Sequence, residues 1–105
     1  MEIIENHYFT RRIREFLSDD EYNVLQQTLI VNPEAGAVIP GGGGLRKLRW
    51  AVQGRGKSGG LRIIYYWYTK SDRIYLLYVY KKTDQEDLTR EQIALFKDYI
   101  KGGLL

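Results

Sequence analysis

The chain of 105 residues has no cysteine, two prolines, one methionine and one histidine. Without cysteine there is neither a disulfide framework nor a thiolate metal site. The lone histidine, His7, has no acidic or histidine neighbour at ligand spacing, so no metal is expected on it. A single histidine also excludes the histidine pair that some ribonucleases use. No apolar run reaches the roughly 20 residues of a membrane span. The N-terminal MEIIENHYF lacks the basic and apolar regions of a signal peptide. These features fit a cytoplasmic protein. One further absence is local. No acidic residue stands between Ala35 and Ser71, a window that holds seven basic ones.

That window contains the segment GGGGLRKLRWAVQGRGKSGGLR, Gly41–Arg62, with Arg46, Lys47, Arg49, Arg55, Lys57 and Arg62. A run of one charge repels itself, so its natural use is to meet something negative. Eight of the eleven glycines lie at 41–44, 54, 56, 59 and 60 and bracket LRKLRWAV. This reads as a strand between two glycine-rich loops. The net charge is only +3, so the distribution matters more than the total. Nine tyrosines supply stacking area with a polar tip, which suits RNA or a protein partner but also suits strands. The length implies one domain with one core, able to hide roughly 65% of its unfolded surface.

Residues 2–6 are short enough for an edge strand. Thr10 is a candidate cap for a helix with Ile13, Phe16 and Leu17 on one side. Ser18 and Glu21 form a capping-box pattern, and Tyr22, Leu25 and Leu29 follow as one apolar stripe that Pro33 stops. Residues 32–44 read as loop. In Leu45–Val52, Arg46, Leu48, Trp50 and Val52 fall on one side, and Leu45, Lys47, Arg49 and Ala51 on the other. Leu61–Tyr68 and Arg73–Lys81 are apolar on both faces and read as a central hairpin. Thr89 and Gln92 repeat the capping box ahead of Ile93, Phe96 and Ile100, with Gly102 as a stop. The expected class is α+β, in the order β-α-α-β-β-β-α. Its sheet is small, twisted and antiparallel, with helices over one face and the basic residues and some tyrosines on the other.

GRGKSGG suggests a nucleotide phosphate loop, but that motif needs glycine where Ala51 stands and a helix after the serine, where a strand follows here. The loop reads instead as a solvated connection, or as a backbone contact through Arg55 and Lys57. Asp84, Glu86 and Asp87, just before the last helix, suit helix-dipole and solvation roles.

The run NPEAGAVIPGGGGLRKLRW, GRGKSGGLRIIYYW and IYLLYVYKKTDQEDLT, from Asn32 to Thr89, resembles the RelE/HigB superfamily of bacterial toxins, above all its HigB branch. The resemblance implies a RelE/ParE-like fold and an endoribonuclease that cuts mRNA in the ribosomal 30S A site. It also implies neutralisation by a cognate antitoxin, encoded beside the gene. By that pattern Arg62, Lys57 and Lys82, with Lys81 beside it, form the catalytic set, and no metal or other cofactor is required. Arg46, Lys47, Arg49, Arg55 and Tyr80 would contact RNA. RelE proper carries a tyrosine near the last helix that KKTDQEDLT lacks, and Tyr80 is a substitute. Two other readings remain: a toxin of the same fold that poisons a protein such as DNA gyrase, and a non-catalytic RNA-binding module.

Overall fold

The computed structural model describes residues 1–52 and 60–104. The first strand, β1 (Glu2–Glu5), leads into helix α1 (His7–Phe16) and helix α2 (Asp19–Val31). Strands β2 (Ala37–Val38), β3 (Leu45–Trp50), β4 (Leu61–Tyr68) and β5 (Arg73–Lys81) follow, then helix α3 (Arg90–Tyr99), which runs on into a π-helical turn at Ile100–Leu104. The sheet has the order β1-β5-β4-β3-β2. It is antiparallel except at one edge, where β1 lies parallel to β5. Between β1 and β5 lie both helices and three strands, so no tight turn forces them antiparallel.

The class and, β2 apart, the element order agree with the sequence reading; besides the parallel β1, where an antiparallel sheet was expected, four details differ. Helix α1 is capped by Asn6, not Thr10. The Asn6 side chain accepts from the Phe9 N–H at 2.7 Å and donates to the Leu77 carbonyl at 2.9 Å. The cap therefore also pins the helix to β5. Thr10 lies inside the helix, where its hydroxyl donates to Glu5 at 2.6 Å. The segment read as loop holds the short edge strand β2, paired with Arg46 and Lys47 of β3. Gly102 does not stop the last helix, which continues in the π turn.

The fourth difference concerns the layers. Helices cover both faces of the sheet, not one. Phe9, Ile13 and Phe16 of α1, with Leu25 and Leu29 of α2, pack on Leu48, Leu61, Ile63, Tyr65 and Val79. Phe96 and Ile100, from α3 and its extension, pack on Leu45, Ile64, Tyr75 and Tyr80 of the other face. Ile63 and Ile64 are both fully buried because each serves a different core. Truncating either to alanine costs about 2–5 kcal/mol.

Both capping boxes form as the sequence predicts. Ser18 accepts from Glu21 N–H while the Glu21 carboxylate accepts from Ser18 N–H, and Thr89 and Gln92 do the same. Gly36 is required by a close approach, since a Cβ there would stand 2.8 Å from the Tyr65 ring. Its N–H donates to the Tyr65 hydroxyl at 2.8 Å, and that hydroxyl donates to the Pro33 carbonyl at 2.7 Å. Tyr65 thus holds the chain between α2 and β2 against the sheet.

Candidate nucleic-acid interface

Antiparallel pairing places directly opposed residues on one face of the sheet, with Cα atoms about 4.5–5.5 Å apart. Arg49 of β3 stands opposite Arg62 of β4, and Arg62 stands opposite Tyr80 of β5. The next row on the same face is Lys47, Ile64 and Tyr78. Two arginines directly across a ladder repel one another by roughly 0.2–1 kcal/mol. Neither Arg49 nor Arg62 has an ion-pair partner among the described residues. The only described hydrogen bond of the Arg62 guanidinium is to the neighbouring Leu61 carbonyl, at 3.2 Å. An opposed, unneutralised pair of arginines is an arrangement that an anion bound between them would stabilise.

One carboxylate approaches this face. Asp87, in the segment before α3, accepts a hydrogen bond from Lys47 Nζ at 2.7 Å. That bond and the Lys47 charge hold the Asp87 carboxyl below the ordinary aspartate value, with smaller help from Arg49 and Arg62. Asp87 is therefore ionised at neutral pH and is a weak base. Its role in the free protein is to orient Lys47. Sequence reasoning gave it only a helix-dipole and solvation role. Forty residues separate the pair, so no local spacing signals it; the one hint was that a basic window without acids needs any partner from outside.

Tyr80 is almost fully buried, and its hydroxyl has no hydrogen-bond partner among the described residues. Burial raises its pKa, the Asp87 charge adds to the rise, and the Arg62 charge opposes it. The hydroxyl is thus a neutral donor at physiological pH, set beside the Arg49–Arg62 pair. Tyr78 is held next to it by ring contact at 5.6 Å and by Gln85 and Gln92. Beside Lys47 and Arg49 a groove of about 610 Å³ opens toward the β2 edge, walled by Val38, Ile39, Pro40 and Leu88. It offers an apolar wall next to cations, a combination that accepts a base and its phosphate.

The remaining expected residues are distributed as follows. Arg46 lies on the opposite face. It donates to the Gly36 carbonyl at 2.8 Å and pairs with Glu34 at 3.8 Å, so it holds the β2 loop. Lys81 is paired with Leu61, off the Arg62 row, and its ammonium lies 5.8 Å from the centre of the Phe16 ring. Lys82 follows β5 with an exposed side chain, and its N–H donates to the Gly60 carbonyl two residues before Arg62. Arg55 and Lys57 lie outside the described residues. So Lys47, Arg49, Arg62 and Tyr80 come together, Lys82 stands at the edge of that group, and Arg46 and Lys81 do not join it. No group of acidic, histidine or cysteine side chains able to hold a metal ion occurs among the described residues. Nor does any helix among them have the length and apolarity to cross a membrane.

The comparisons with known proteins bear on the fold and the family. A solved structure of the Escherichia coli toxin RelE, an arginine-to-alanine double mutant in the free state, matches with a TM-score of 0.59 at 17% identity, over 98% of this chain and 97% of that one. At that identity the likeness is one of fold. The family described as the RelE toxin of the RelE/RelB toxin–antitoxin system matches residues 1–104. On that match over nearly its whole length, the chain belongs to the RelE toxin family.

Proposed function

We propose that this protein is a toxin of a toxin–antitoxin pair that stops translation by cutting mRNA on the ribosome. The observation that carries this reading is the Arg49–Arg62 pair opposed across two strands without a carboxylate on either. A polyanion with a reactive phosphate is the ligand such a pair suits.

The chemistry follows from the groups at hand. A ribose 2′-OH gives up its proton, and its oxygen attacks the adjacent phosphorus. The bond from phosphorus to the 5′ oxygen breaks, and that oxygen takes a proton. The products are a 2′,3′-cyclic phosphate and a 5′-OH. Charge builds on the phosphorane oxygens in between, and Arg62 and Arg49, always protonated, stabilise it. Tyr80, buried opposite Arg62, backs the row that carries this arginine. Lys57 and Lys82 are the candidates for proton transfer. Holding the message in place is assigned to the ribosome, which supplies the orientation that a small open site cannot. We assign no metal to the reaction, and we place its action in the cytoplasm, under control of a cognate antitoxin.

A purified translation system with one defined message tests this. The wild-type protein cuts the message within the codon in the A site, and Arg62→Ala slows cleavage by about 10²–10³-fold, as loss of one transition-state donor does. An active preparation that leaves the message whole refutes the reading. Inhibition of DNA supercoiling instead would assign the protein to poisoning of gyrase. RNA binding without cleavage would make it a binding module.

A further inference from the structure

Asp87 is the one carboxylate among the described residues that pairs with a cation of the Arg49–Arg62 face. Its partner, Lys47, stands two residues along β3 from Arg49, on the same face and about 7 Å away. Lys47, Arg49 and Arg62 thus make a short group of cations, and all three charges act on the Asp87 carboxyl. Asp87 is exposed, and its side chain makes no described hydrogen bond except the one to Lys47 Nζ, at 2.7 Å. The needs of the fold in this segment are met by its neighbours: Leu88 packs on the second core and Thr89 caps α3.

Of the two partners, Asp87 is the fixed one. The Asp84 and Gln85 N–H groups donate to the Lys81 carbonyl at 3.1 and 3.2 Å, which ties the segment to β5. The Gln85 side-chain amide donates to the Asp87 carbonyl at 2.8 Å and to the Gln92 side chain of α3. None of these bonds involves Lys47, so the carboxylate keeps its place when the lysine leaves. Lys47 carries its charge on a flexible four-carbon stem. An exposed pair of this kind shifts an equilibrium by no more than about fivefold, so another anion can take the lysine over.

We infer that Asp87 is a competitor built into the protein: its carboxylate holds Lys47 where an RNA phosphate would, and a bound strand takes its place. The inference rests on the reading of the Arg49–Arg62 face as an RNA site and adds a control on its affinity. A phosphate between Arg49 and Arg62 puts the next phosphate of an extended strand within reach of Lys47. The lysine then exchanges a carboxylate for a phosphate, both of which accept charge-assisted hydrogen bonds. A lone phosphate ion gains little from that exchange. A strand already held by both arginines makes it at a high effective concentration. The closed pair lowers affinity in two ways: it occupies one of the three cations, and it keeps a negative charge beside the RNA.

The test is binding of the full-length protein to a single-stranded RNA of about 12 nucleotides, titrated over a range of salt. Asp87→Asn keeps the shape of the side chain and removes its charge. It is compared with wild type and with Asp84→Asn and Glu86→Gln, which alter two exposed carboxylates of the same segment that have no described ion pair. The expected result for Asp87→Asn is an affinity higher by about two- to fivefold. Its salt slope is steeper by about 0.7, the value of one further phosphate neutralised. Asp87→Glu keeps the wild-type values, and the two neighbouring variants stay near them. Weaker binding by Asp87→Asn overturns the inference, since Asp87 would then be a support that readies Lys47 for RNA. An unchanged slope overturns it too, as does an equal gain in either neighbouring variant, which would reduce the effect to net charge. Cleavage is read separately. If the wild type cuts its message and Asp87→Asn binds RNA no differently, only this inference falls; if the exchange is seen and nothing is cut, only the proposed activity does.

Discussion

One chemical edit, loss of a tyrosine hydroxyl, should have opposite effects at two buried positions. Tyr80 and Tyr65 are both in the core, 3% and 0% exposed. The Tyr80 hydroxyl has no partner among the described residues. The Tyr65 hydroxyl accepts from Gly36 N–H at 2.8 Å and donates to the Pro33 carbonyl at 2.7 Å. A buried unpaired hydroxyl costs about 1–3 kcal/mol, so Tyr80→Phe, which keeps the ring, gains about 1 kcal/mol. For a domain of this size that raises Tm by about 4–8 °C. Tyr65→Phe loses two hydrogen bonds and leaves two main-chain groups without them, a loss of about 2–3 kcal/mol. Urea and thermal unfolding of both variants measure this, with an unchanged m-value as the sign that the folded state is the same. A Tyr80→Phe protein less stable than wild type by about 1 kcal/mol or more would show that the hydroxyl is satisfied in the free protein.

Arg49→Gln relieves the repulsion across the β3–β4 ladder, so it should stabilise the free protein by up to about 1 kcal/mol while weakening RNA binding; a loss of stability in denaturant titration contradicts it. Gly36→Ala forces a Cβ to within 2.8 Å of the Tyr65 ring, and about 1–3 kcal/mol is lost as an overpacking cost, read by thermal unfolding. Asp87 has a folded-state pKa below its unfolded value, so its contribution is whole above about pH 4 and fades as the pH falls toward the folded value. Asp87→Asn should therefore flatten the fall of stability in that acid range, and an unaltered acid limb contradicts the Lys47 pair.

The parts of the fold written in short spans were readable from the sequence. Ser18 with Glu21, and Thr89 with Gln92, need only three residues each, and both boxes form. The alternation of Leu45–Trp50 correctly separates Arg46 and Leu48 from Lys47 and Arg49. What depended on distant residues was not readable. The Asn6 cap draws on Leu77, β2 is a strand only because Arg46 and Lys47 pair with it, and the parallel β1 exists only beside β5. The helix layer on the second face was missed because α3 looks like any amphipathic helix until Ile64, facing away from Ile63, shows that this face also needs a cover. At the site, the basic residues were evident, but the opposition of Arg49 to Arg62 required the register of β3 on β4. The side of Lys81 could have been found: in a strand, alternation puts it on the face opposite Tyr80.

The central claim is that the Arg49–Arg62 face cuts RNA by attack of the 2′-OH. It is tested most directly with a message carrying one 2′-deoxynucleotide just 5′ of the cleaved bond, translated in the presence of the wild-type protein. Cutting at that bond is expected to cease, while an all-ribose message is cut there to a 2′,3′-cyclic phosphate. Cleavage that continues at the deoxy position would contradict it.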